Sequence, residues 1–238
     1  MKKIKGLLDH IFIDGLSGMA QGLFATLIIG TIIQQIGTLI GGPRGDMIFA
    51  VGKVAAALTG AGIGVGVAAK FKESYLVVVS AATAGMVGAF ASKLLAGTVL
   101  VDGTMVFAGP GEPLGAFLAA YIGIECGHLV AGKTKVDILV TPIVTIGTGS
   151  LVGLLVGPGV SKIMTSLGAM INWGVEQQPF LMGIVVSVLM GMILTLPISS
   201  AALGIILNLS GLAAGAATVG GCCNMVGFAV ASYRENKI

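Results

Sequence analysis

The chain has 238 residues, with 13 basic and 10 acidic side chains making up 10% of it, against roughly 25% in an ordinary soluble domain. Apolar residues contribute 55%, glycine alone 39 positions, and the mean hydropathy is +1.03. Too few charges are present to cover a soluble surface, which excludes a disordered chain, a nucleic-acid-binding domain and a disulfide-stapled secreted module. An all-α, polytopic transmembrane bundle remains, since continuous apolar runs do not fit the short alternating segments of a membrane barrel.

The N-terminal stretch MKKIKGLLDHIFID is basic, but Asp9 and Asp14 interrupt any signal-peptide core. It predicts a retained, cytoplasmic amphipathic lead-in. The first span covers 16–40 and ends at Gly41, Gly42 and Pro43. Further spans are expected at 47–69 and 75–95. The segment 98–113 is too short and broken to cross and reads as a hairpin or partial re-entrant loop. Spans at 114–131 and 138–156 follow, the latter stopping at Gly157-Pro158-Gly159. Residues 160–176 carry Lys162, Asn172, Trp173 and Glu176 among apolar side chains, as in a helix lying at the interface. A span at 180–196 ends near Pro197. Residues 199–232 are too long for one span, with GAATVGG (215–221) as the expected break.

Lys and Arg in short loops set orientation. Lys2, Lys3, Lys5, Lys70, Lys72, Lys133, Lys135, Arg234 and Lys237 fall on one side if spans alternate and the final segment folds back, and Arg44 and Lys162 on the other. Both termini are therefore expected in the cytoplasm. Glycines four apart, such as Gly18/Gly22, Gly60/Gly64, Gly62/Gly66, Gly123/Gly127, Gly149/Gly153/Gly157 and Gly211/Gly215, predict close helix contacts. Gly109-Pro110-Gly111, Gly157-Pro158-Gly159 and Gly220-Gly221 are the positions where a helix could break around a solute. Cys126, Cys222 and Cys223 sit in apolar stretches and read as small core residues.

Ionisable groups inside a span point to a cavity or a partner, because a charge in hydrocarbon is costly. Lys93 lies near a helix end and can snorkel to the interface. Lys53 lies about 10 Å into its span at 1.5 Å per residue, deep enough to hold a solute and shallow enough to snorkel. Glu125 and His128 stand three apart on one helical face. They fit binding of sugar hydroxyls or a proton relay, or else a mutually satisfied pair that fixes packing. One Glu-x-x-His with a single further histidine, His10, does not make a metal site. Gln21, Ser199, Ser200, Asn208 and Asn224 add amides and hydroxyls that suit a neutral polyol, or helix-to-helix hydrogen bonds. No nucleotide-binding or nucleophile motif is present, so no cofactor is expected. No soluble segment could carry a phosphodonor residue.

Five stretches carry a family resemblance: GLSGMAQGLFATLIIGTIIQQIG (15–37), GAGIGVGVAAK (60–70), GKTKVDILVTP (132–142), PFLMGIVVSVLMGMILTLPISSAALGI (179–205) and LSGLAAGAATVGGCCNMVGFAVASYREN (209–236). Together they resemble EIIC-type membrane subunits of the sugar phosphotransferase system, in the subgroup that includes perfringolysin-regulator-like toxin regulators. The resemblance implies a homodimeric permease in the bacterial inner membrane. Such a permease binds a sugar or polyol and presents it to a cytoplasmic EIIB-type protein for phosphorylation. It also implies further membrane segments after SYREN, where this chain ends at Ile238. Related families place a Glu and a His near the sugar. Here Glu125 and His128 are the in-span pair of that type, and Glu112 in the loop GPGEP is a second candidate carboxylate. A membrane sensor that keeps the fold without transport, or a transporter of a small non-sugar solute using Lys53, are the alternative functions.

Overall fold

The computed structural model describes residues 10–101, 104–107, 109–193, 204, 207 and 209–236. The first helix, α1 (Ile13–Ile40), is led in by a π-turn at His10–Gly15 and contains another midway, at Phe24–Ile28. It ends where Gly41 (φ +64°) and Gly42 (φ +66°) adopt backbone that other residues resist. Pro43 then sits in the first turn of α2 (Gly42–Ala57), where its missing N–H leaves nothing unbonded.

The helix returns through a break at Leu58 into α3 (Thr59–Lys70), bent by 52°. One span at 47–69 was expected, and the bend falls inside that range. Buried Thr59 turns its hydroxyl back onto the Ala56 carbonyl at 2.6 Å, which competes with the regular helical ladder at that point. Next come α4 (Tyr75–Ala89) and, after a turn at Phe90, the short α5 (Ala91–Leu95). The expected hairpin follows: β1 (Leu100–Val101) pairs antiparallel with β2 (Thr104–Met105). Helix α6 (Pro113–Val130) again opens on a proline.

The largest departure lies in α7 (Asp137–Gln177), one helix of 41 residues that runs through Pro142 and Pro158. The expected stop at Gly157-Pro158-Gly159 does not occur. A full break in lipid would strand several backbone groups, whereas one proline removes a single hydrogen bond. Helices α8 (Pro179–Ile193) and α9 (Gly211–Asn236) complete the described chain. Helix α9 is continuous through GAATVGG, so that expected break is also corrected. Helices α1, α6, α7 and α9 are each long and apolar enough to cross a membrane, and the bent pair α2–α3 has the length and composition of either a broken span or a re-entrant loop.

Two compact units divide the chain after Ser161. In the first, glycines let backbones meet. A Cβ on Gly18 would lie 2.7 Å from the Gly66 carbonyl oxygen, and one on Gly37 2.7 Å from that of Gly45. Gly22 faces Gly62, and Gly30 faces Gly52, in the same way. Helix α3 uses its other side for α4, where Gly60 meets Gly85 and Gly64 meets Ala81. Helix α4 in turn meets α6 through Gly88 and Gly115, and Gly149, Gly153 and Gly157 of α7 contact Ala119, Gly88 and Ala91. Leu23, Ile63, Val67, Val77, Phe117 and Ile124 fill the space between. The second unit is built on Val175, Val186, Met190 and Ala213, with Gly220 of α9 against Ser187 of α8. The predicted spacing Gly211/Gly215 makes no such contact among the described residues.

Candidate functional site

Helix α6 carries a group of interest at each end. At its N-terminal end, Gly111 has φ +72°, and a Cβ there would strike Ala89 at 2.8 Å. Only glycine lets the loop GPGEP lie this close to the end of α4. The next residue, Glu112, is fixed by its own N–H, which donates to the Ala89 carbonyl at 2.7 Å. Its side chain accepts a hydrogen bond from the Leu114 N–H. Its Oε1 is buried with no hydrogen-bond partner among the described residues. Burial pushes the Glu112 carboxyl above the ordinary value of 4.5, and the Leu114 N–H opposes that shift.

At the C-terminal end, Glu125 and His128 do not pair with each other. His10 Nε2 lies 3.2 Å from Glu125 Oε1, and His128 Nδ1 lies 2.9 Å from Glu73 Oε1. Tyr121, one turn before Glu125, hydrogen-bonds the same carboxylate. The His10 ring stacks on Phe71 with centroids 4.0 Å apart, and Phe71 meets Tyr121 edge-on at 6.0 Å. These contacts tie the lead-in and the α3–α4 turn to the end of α6. Sequence spacing gave no sign of them, because His10 and Glu125 are 115 residues apart and Glu73 lies in a turn. Beside this clasp opens a cleft of about 600 Å³ lined by His10, Asp14, Gln21, Lys70, Phe71 and Lys72.

The other predicted site residues scatter. Gln21 lines that cleft. Lys53 is exposed on α2, its ammonium 5.3 Å from the centre of the Phe49 ring, a cation–π contact within its own helix. Asn224 donates to the Gly191 carbonyl at 2.6 Å and joins α9 to α8. Ser199, Ser200 and Asn208 lie outside the described residues. Among the described residues no three of His, Cys, Asp and Glu converge as metal ligands would.

Residues 13–238 match the family described as "Phosphotransferase system, EIIC". No curated protein and no solved structure matches the chain. Apolar helices of spanning length and a match over nearly the whole sequence lead to one conclusion: the chain belongs to the EIIC family of the phosphotransferase system, as a multi-pass, sugar-transport permease-type membrane subunit.

Proposed function

We propose that the chain binds a sugar or polyol at Glu112 and translocates it. It would work as a homodimer in a bacterial inner membrane with its N-terminus in the cytoplasm, and pass the solute to an EIIB-type protein that supplies the phosphoryl group. The observation that supports this reading is the buried Oε1 of Glu112, which has no partner among the described residues. A buried acceptor left unpaired costs about 1–3 kcal/mol, and a solute hydroxyl would relieve it. The carboxyl stands before α6, next to a hairpin and on a glycine-shaped loop. Backbone and side chain there converge without a fixed charge partner, which suits a neutral ligand.

Glu125 and His128 stand 13 and 16 residues further along the helix, about 20 Å away at 1.5 Å per residue. One sugar ring does not touch both ends, so we assign Glu112 the solute and the other pair the clasp. The test is isothermal titration of the purified full chain with a panel of hexoses, disaccharides and polyols. One of them should bind, Glu112→Gln should weaken it at least about tenfold, as loss of a hydrogen bond to a charged group does, and Glu125→Gln should leave it within twofold. Binding that survives Glu112→Gln but not Glu125→Gln would move the site to the other end of α6.

A further inference from the structure

We propose that the cleft at the end of α3 binds a phosphate-bearing anion, with Lys70 and Lys72 supplying charge and the Gln21 side-chain amide a hydrogen bond. This is independent of the Glu112 site. Both lysines line the cleft, and neither pairs with a carboxylate among the described residues. Asp14 is the one acidic residue on the wall. Of the carboxylates beyond the wall, Glu125 is held by His10, and Glu73, next to Lys72 in sequence, is held by His128. The wall therefore keeps a net positive charge.

Lysines at a helix C-terminus often serve the last carbonyls. Here that role is already filled. The carbonyls of Val67, Ala68 and Ala69 accept from the N–H groups of Phe71, Glu73 and Lys72, at 3.0, 3.1 and 3.0 Å. The lysine side chains are released from capping. Lys72 is also the one non-glycine residue of the described chain with positive φ, at +58°. Glycine normally occupies that position after a helix. Lysine there keeps a second ammonium group on the same short turn as Lys70. The floor is stiff, because Phe71 is stacked on His10 and wedged against Tyr121. Two ammonium groups and a neutral amide donor over an aromatic floor suit the oxygens of a phosphate. Lys70 ends a membrane-length segment, so the phosphate can come from solution or from a lipid headgroup.

The experiment uses the full chain in two settings. In neutral detergent, inorganic phosphate is titrated calorimetrically. In nanodiscs of phosphatidylcholine mixed with phosphatidylglycerol, native mass spectrometry counts the phosphatidylglycerol that stays bound. Lys70→Gln/Lys72→Gln should weaken one of these at least about tenfold, as expected for losing charged hydrogen bonds. Lys70→Arg/Lys72→Arg, which keeps the charge, should retain it, as should Lys162→Gln, at an exposed lysine outside the cleft lining. Weakening in the first setting alone assigns free phosphate, and in the second alone a lipid headgroup. The proposal is overturned if the double glutamine variant matches wild type in both settings. It is equally overturned if Lys162→Gln loses as much, which would reveal a net-charge effect.

Discussion

Glu112 combines burial, an oxygen unpaired among the described residues and a raised pKa, and these make a pH signature. Its folded value lies above 4.5, so folding favours the protonated carboxyl. The stability this contributes is fully present below the unfolded value and is lost as pH rises through the folded one. Glu112→Gln stays neutral throughout. Its melting temperature should equal that of wild type below about pH 4.5 and exceed it increasingly as pH rises. Parallel melting curves from acid to neutral pH would show that the carboxyl is not desolvated. This residue was visible in the sequence as a carboxylate in a Gly/Pro loop, because loop chemistry is local. The partners of Glu125 and His128 were not, since three-residue spacing describes one helix and says nothing about what packs on it.

The elements depend on glycine as a contact surface. A Cβ at Gly62 would lie 2.5 Å from the Thr26 methyl and 2.9 Å from the Gly22 carbonyl oxygen. Gly62→Val should therefore destabilise the α1–α3 pair by about 1–3 kcal/mol, the usual cost of overpacking. Gly147 faces open space on α7, so Gly147→Ala should be neutral or stabilising by roughly 0.5–1 kcal/mol through helix propensity. Equilibrium unfolding in mixed micelles compares the two, and equal effects would refute the packing role. The glycine spacings were legible beforehand. What they meant locally was harder to read. GAATVGG and Gly157-Pro158-Gly159 resemble breaks because both residue types end helices in water. In lipid, with no water to satisfy freed carbonyls, the helix persists, and Gly157 and Gly220 become contact sites. The bend at Leu58 carried no comparable signal, since no proline marks it and the glycines beside it resemble those that pack straight helices.

For the whole molecule, composition was decisive: so few charges in so apolar a chain admit little besides a membrane bundle. Charge bias gives the expected face of each loop, and cysteine labelling tests it directly. Helix α1 meets α2–α3 in antiparallel fashion along its length. Arg44 and Lys72 therefore mark opposite ends of this layer. With the three native cysteines replaced by alanine, Arg44→Cys should react with an impermeant maleimide added to intact cells. Lys72→Cys should react only in inverted vesicles. Labelling of both from one side would make the bent pair α2–α3 re-entrant instead of spanning. A helix of 28 residues also measures roughly 40 Å at 1.5 Å per residue, beyond the ~30 Å hydrocarbon core. Either α1 tilts or its ends leave the lipid.

The π-turn at Phe24–Ile28 bears on how the chain tolerates changes of length. Gly22 and Gly30 both face α2–α3, yet eight residues of uninterrupted α-helix would leave them about 80° out of phase. A π-turn holds one residue to spare, so the eight-residue step turns like seven, about 20° short of two full turns. Removing Ala25 should therefore only relax the turn into ordinary helix and leave the glycine pairs aligned. Removing Ile33, between Gly30 and Gly37, should swing one pair about 120° off its partner and abolish folding. Deletion scanning from Leu16 to Ile40 with a fluorescent folding reporter should find a permissive window here. A lineage shortening or lengthening its first span would have room to do so here.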